Sequence, residues 1–344
     1  MKLAIPLSLL TAALVGGGLF LGCEGTAAKP NGAAGKHFEL LNVSYDPTRE
    51  LWKEINNAFS ETYEKETGNT VSIKQSHGGS SSQARAVIDG LEADVVSLAL
   101  WSDVDQLRRK GLIKEGWERR YNQLGLPYTS TIVFVVRKGN PKQIQDWPDL
   151  VRPDVQIITP NPKTSGNGKL AFLAAWGSVV LNKGSDDEAR EYITKLYKQV
   201  PQLDNGARQA TTTFAQKKIG DVHLTWENEA HLEVKEAKGE LEIVYPKLSI
   251  LAEPYVSIVE ANAEKKGTYF VADAYLKYLA TERAQRIIAS HYYRPRLLDI
   301  LEEHRDVFHD LKLFKITDIV KGWDEAQEKF FAEGALFDSI YQAK

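Results

Sequence analysis

The chain has 344 residues, 43% of them hydrophobic and 26% charged, with a formal net charge of −3. That length allows one or two domains with a sizeable core, and the composition is ordinary for a globular protein. The slight acidity excludes the basic footprint of a nucleic-acid binder, and a single cysteine excludes a disulfide framework.

Met1-Lys2 and the apolar residues 3–21 form a secretory signal pattern over residues 1–22. A membrane helix is the other reading of this run, but Pro6 and Gly16-Gly17-Gly18 interrupt it. Phe20-Leu21-Gly22-Cys23 resembles a bacterial lipoprotein processing site, with Cys23 as the acylated first residue and residues 23–36 as a lipidated tether. The small, polar residues 26–35 suit a flexible connection.

Strands and helices then alternate. Residues 38–44 read as a strand. A helix is predicted over 47–66, where Leu51, Ile55, Phe59 and Tyr63 recur every four residues and Gly68 stops the run. Residues 71–74 are a strand and 81–91 a helix, with Ser80 and Gln83 at capping-box spacing. Residues 94–100 are an apolar strand of the buried kind. The longest β-branched and aromatic run, 131–136, opens a second series. It continues with a strand at 155–158, helices at 169–181, 187–197 and 209–217, a strand at 222–224, a helix from Trp226 and a strand at 241–244. Residues 256–259 look like a return strand, and helices at 269–279 and 324–331 close the chain. Such alternation predicts an α/β fold with mostly parallel sheets flanked by helices, arranged as two lobes joined by two chain crossings.

Four strand-to-helix junctions carry mostly small, hydrogen-bonding residues and no Lys or Arg: Tyr45-Asp46-Pro47, His77-Gly78-Gly79-Ser80, Thr164-Ser165-Gly166-Asn167 and Asn205-Gly206-Ala207. Helix starts expose free N–H groups and partial positive charge. Four starts converging on one point would bind a small oxyanion without Lys or Arg. Ligand sites in open α/β sheets lie beyond the carboxyl ends of strands, where these junctions fall. Each junction alone also fits a simple helix cap, and Trp226 alone also fits core packing.

Enzyme motifs fail. Gly166-Asn167-Gly168-Lys169 has Lys163 where a phosphate loop needs its first glycine. The dinucleotide spacing Gly166-x-Gly168-x-x-Ala171 stands apart from its strand, behind Pro160 and Pro162. No Gly-x-Ser-x-Gly elbow is present. The seven histidines show no zinc spacing. His77 beside Ser76 fits half of a hydrolase dyad or, more simply, a structural donor. No catalytic residue, cofactor or metal is expected.

The segments 40–50, 75–80, 87–94, 127–134, 161–166, Trp226-Glu227-Asn228-Glu229-Ala230 and Tyr292-Tyr293-Arg294-Pro295-Arg296 resemble the periplasmic sulfate-binding proteins of ABC importers. The resemblance spans about residues 38–341. It implies the type II periplasmic-binding-protein fold, two lobes closing over one dehydrated sulfate. Lobe 1 would take residues 37–128 and about 255–320, and lobe 2 residues 129–254. Residues 321–344 would pack across the lobes. The implied contacts are the backbone N–H groups of Asp46, Ser80, Gly166, Asn167 and Ala207, the Ser165 hydroxyl and the Trp226 indole. One departure stands out: the family continues Ser-Gly with Gly-Ala-Arg, where this chain has Asn167-Gly168-Lys169. The implied partners are sulfate and an ABC permease, with the protein a monomer at the outer face of a membrane. Thiosulfate, or molybdate or tungstate, are the alternative ligands; a sulfate- or phosphate-ester hydrolase is the enzyme alternative.

Overall fold

The protein is described by a computed structural model covering residues 35–119 and 125–341. The signal segment and Cys23 lie outside the described residues. The chain opens with β1 (His37–Tyr45), α1 (Arg49–Thr67), β2 (Thr70–Gly78), α2 (Ser80–Ile88), β3 (Val95–Leu98) and α3 (Trp101–Arg109). There follow β4 (Tyr128–Thr129), β5 (Ile132–Arg137), β6 (Ile157–Pro160), α4 (Gly166–Val180), α5 (Asp186–Lys198), β7 (Leu203–Asp204), α6 (Ala207–Thr211), β8 (Val222–Trp226), α7 (Glu227–Glu236) and β9 (Leu241–Val244). Then come β10 (Leu248–Ile250), β11 (Tyr255–Ile258), α8 (Glu260–Lys266), α9 (Tyr269–Tyr278), α10 (Glu282–Ser290), β12 (Arg294–Pro295), α11 (Leu298–Glu303) and β13 (Lys312–Phe314). Two short helices, α12 (Trp323–Ala326) and α13 (Leu336–Ile340), flank a π turn at Gln327–Phe331.

The first lobe holds a sheet of order β2-β1-β3-β11. β1 and β2 are parallel and in register from His37↔Thr70 to Tyr45↔Gly78, so the two strands end side by side. β3 is parallel to β1, while the returning β11 is antiparallel to β3. α1 covers this sheet because its periodic face, Leu51, Ile55, Phe59 and Tyr63 with Trp52, is buried. Burying each such side chain contributes about 1.5–3 kcal/mol. Gly68 ends α1 at φ 72°, a left-handed position that glycine takes without strain.

The second lobe holds a mixed sheet of order β7-β6-β8-β5-β9. β6 is parallel to β7 and β8, whereas β5 is antiparallel to β8 and β9. β5 enters directly from the hinge, so Ile132 lies opposite the end of β8 at Trp226. α4 begins three residues before the predicted start, and every residue from Gly166 to Ser178 is buried. A helix apolar all round needs cover on all sides. The sheet supplies one side. The C-terminal segment supplies another: the ring of Phe172 lies 5.4 Å from Phe330 and 6.3 Å from Phe337.

The lobes join through the two-stranded pair β4–β12 and the bridge Ser130↔Ala252. A third passage follows α11. β13 pairs with β10, and the Phe314 ring occupies the space a Cβ on Gly177 of α4 would need. The chain near 312 therefore packs on the second lobe, whereas the sequence reading keeps it in the first to about 320.

Candidate functional site

Register brings the four junctions together. β1 and β2 end level, so Asp46 and Ser80 start their turns as neighbours. In the second lobe Pro160 lies opposite Asp204, and Asn161 N–H donates to Asp204 O at 2.8 Å. The turns before α4 and α6 are thereby held adjacent. The two pairs face each other across the lobes around one small cavity. Tyr45, Asp46, Pro47, Gly78, Gly79, Ser80, Ser165, Gly166, Asn167, Ala207 and Trp226 line it. All seven binding residues expected from the sequence are among them. Together they enclose a small cavity between the lobes.

The side chains around it are nearly all committed elsewhere. The Ser80 hydroxyl donates to Asp103 Oδ2 at 2.5 Å and accepts from Ala99 N at 2.9 Å. The predicted capping box at Ser80 does not form: Gly79 takes the cap position, and Gln83 Nε2 donates to Ser76 Oγ at 3.2 Å. Asp46 presents a carboxylate near the cavity, but Arg49 neutralises it at 2.5 Å. Ser165 caps α4 by accepting from Gly168 N at 3.5 Å, which leaves its hydroxyl hydrogen free. Asn167 turns its side chain away from the helix to donate Nδ2 to Leu224 O at 3.1 Å. Two groups are left over: Asn167 Oδ1 and the indole N–H of the fully buried Trp226 have no partner in the protein. An unmade hydrogen bond costs about 1–3 kcal/mol; Trp52, Trp117 and Trp176 also leave the indole N–H without a partner, and only Trp226 of these four lines the cavity.

Close contact between the lobes at the seam depends on missing side chains. A Cβ on Gly79 would come within 2.3 Å of Thr164 O, and one on Gly206 within 2.4 Å of Asp46 Oδ2. A Cβ on Gly166 would lie 2.4 Å from that of Ala99. Charged pairs cross the same seam. Arg208 of α6 reaches Glu50 of α1 at 2.7 Å, and also Glu229 at 3.0 Å. Lys169 of α4 lies 3.8 Å from Asp103 of α3, both side chains buried. Burial pulls the Lys169 pKa below its usual value, with Asp103 opposing that shift. Burial pushes the Glu229 carboxyl up to about 7 against the pull of Arg208. The sequence reading missed these pairs. Lys169 inside an otherwise apolar helix was the available signal.

His77 is structural. Its Nδ1 meets the fully buried Ser44 Oγ at 2.6 Å and its Nε2 meets Gln75 Oε1 at 2.7 Å. Burial pushes its pKa down to about 4, so the ring is neutral at pH 7. Ser44 has no solvent access, so the Ser–His contact cannot attack a substrate. Among the described residues no cluster could hold a metal ion, and no helix is long and apolar enough to cross a membrane.

Residues 42–294 match the model of the bacterial extracellular solute-binding protein family. The chain belongs to that family. This solute-binding protein is 52% identical over 307 residues to the sulfate-binding protein of Salmonella typhimurium, covering 89% of the chain and 93% of the relative. It is 46% identical to the thiosulfate-binding protein of Pseudomonas aeruginosa, covering 97% and 98%. Among solved structures, the sulfate-binding protein SubI of Mycobacterium tuberculosis superposes with a TM-score of 0.78 at 29% identity, covering 86% of the chain and all of SubI. The two-lobed α/β architecture of this solute-binding protein is thus that of the periplasmic binding proteins.

Proposed function

We propose that this protein captures sulfate between its lobes and delivers it to an ABC permease. The carrying observation is a single cavity bordered by helix starts from both lobes and lined by the buried Trp226 indole, whose N–H has no protein acceptor. The backbone N–H groups of Asp46, Ser80, Gly166, Asn167 and Ala207, with the Ser165 hydroxyl and the Trp226 indole, form the donor shell. Leaving a dianion bare in such a place would be prohibitive. Charge-assisted hydrogen bonds contribute about 1.5–3 kcal/mol each, and helix starts hold the donors in place before the ligand arrives. The nearby cations Arg49, Lys169 and Arg208 are each paired with a carboxylate, so binding rests on dipoles.

Selectivity follows from that shell. Sulfate at neutral pH only accepts hydrogen bonds, whereas phosphate keeps a proton that needs an acceptor. The relatives support sulfate first and thiosulfate second. An export signal over residues 1–22 and a lipid on Cys23 would keep the receptor beside its permease. A thermal-shift panel tests the reading. Sulfate is expected to raise the melting temperature by mass action, with thiosulfate second and phosphate without effect at pH 7.5. No shift with either sulfur oxyanion overturns it.

A further inference from the structure

We infer that Glu227 and Arg294 are positioning residues that set Trp226 at the hinge; the inference rests on the sulfate reading above. Trp226 ends β8, and Glu227 is the first residue of α7. The Glu227 carboxylate is fully buried and takes both arms of the Arg294 guanidinium, Nε at 2.7 Å and Nη2 at 2.8 Å. Arg294 Nη2 also donates to His309 O at 2.8 Å, which fixes the guanidinium in its plane. Arg294 belongs to β12, which pairs with the hinge strand β4 as Arg294↔Thr129 and Pro295↔Tyr128. The next residue repeats the tie: Asn228 Nδ2 donates to Tyr293 Oη at 2.9 Å. Tyr293 packs on Tyr128 with ring centroids 4.6 Å apart. The Tyr45 hydroxyl donates to that of Tyr128 at 3.4 Å, and the Tyr45 ring lies 5.4 Å from the Trp226 indole.

These contacts close a loop that starts and ends at Trp226. Glu227, Asn228, Tyr293 and Arg294 are absent from the cavity wall, so none acts on the anion directly. Stability alone is a poor reason for the ion pair, because buried pairs spend most of their attraction on desolvation, and well-packed apolar residues serve as well. A two-pronged guanidinium–carboxylate contact does supply direction. Here it sets the start of α7 relative to β4, and so relative to Tyr45 and Asp46. Trp226 shares its sheet with the strands that lead into α4 and α6, and of that lobe's donors it is the one next to the tied Glu227.

A double-mutant cycle tests this on the full-length protein. Calorimetry would measure sulfate affinity for Arg294→Lys and Glu227→Gln, each with Trp226 intact and with Trp226→Phe. We expect either variant to weaken binding about tenfold with Trp226 intact and less than twofold in the Trp226→Phe background. The ligand-free melting temperature should fall equally in both backgrounds, since packing does not depend on the donor. Equal losses of affinity in both backgrounds overturn the inference, as does a Trp226→Phe protein that binds like the native one. If the charge variants fail to fold, Tyr293→Phe, which deletes one hydroxyl, carries the same comparison. A native protein that binds no sulfate refutes the functional reading instead.

Discussion

Gly79 meets the Thr164 carbonyl oxygen, a backbone atom of the facing lobe, so closely that a single methyl group has no place there. Its φ of −60° is open to any residue, so close approach alone demands glycine. Gly79→Ala should strain the seam by about 1–3 kcal/mol and weaken sulfate about tenfold. Calorimetry showing native affinity would mean the lobes need not meet there. At Ser165 an acceptor is the wrong chemistry: Ser165→Asp places a carboxylate beside a dianion, and loss of measurable binding is expected. Glu229 gives a pH signature. Burial raises its folded pKa to about 7 from the ordinary 4.5. Between those values the folded protein holds the extra proton, so this stabilisation is full below pH 4.5 and lost as the pH rises through about 7. Melting temperature should therefore decline from pH 5 to 7.5, and Glu229→Gln should flatten that slope. Seven of the residues around the cavity were readable from motifs, because small residues at strand ends leave a local trace. Glu50, Asp103, Lys169 and Arg208 left none as pairs, since their partners lie far apart in the chain.

At the scale of elements, α4 carries the opposing demands of core and site. Its body from Leu170 to Trp176 is buried between the sheet and the C-terminal aromatics. Its first turn supplies donors and one buried lysine. Asp103 holds that lysine from the facing lobe while accepting from Ser80 and Ser81 at 2.5 and 2.9 Å. Asp103→Asn keeps the shape and removes the charge, which leaves Lys169 buried without its counter-ion. Denaturant unfolding should show a loss on the order of 3 kcal/mol; a change below the error of the measurement would mean Gln327, whose Oε1 accepts from Lys169 at 3.1 Å, suffices. The periodicities of α1 and α5 placed those helices to within a residue or two, because each has one buried and one exposed face. The start of α4 was placed late, since Gly166-Asn167-Gly168 is weak helix-forming sequence that only tertiary packing keeps helical.

Over the whole molecule, two sheets meet at their carboxyl ends with the chain passing between lobes at β4, at Ala252 and after α11. Such a hinge permits opening, and the cross-seam pairs Arg208–Glu50 and Lys169–Asp103 favour closure. Sulfate at about a hundred times its dissociation constant should stabilise the protein by about 2.7 kcal/mol. Small-angle scattering should show a compact particle with sulfate, and a larger radius of gyration for Gly79→Ala under the same conditions.

Sequence alone determined the α/β alternation, the helix starts rich in small residues and the family, because these are local patterns or long motifs. Tertiary structure decided that strand register sets the four junctions around one cavity, that β5 runs against its neighbours, and that the Trp226 donor is left without a protein acceptor. It also decided which distant charges pair across the seam. Those outcomes depend on distances between segments far apart in the chain, 158 residues for Glu50 and Arg208, and side-chain periodicity carries no information about such distances.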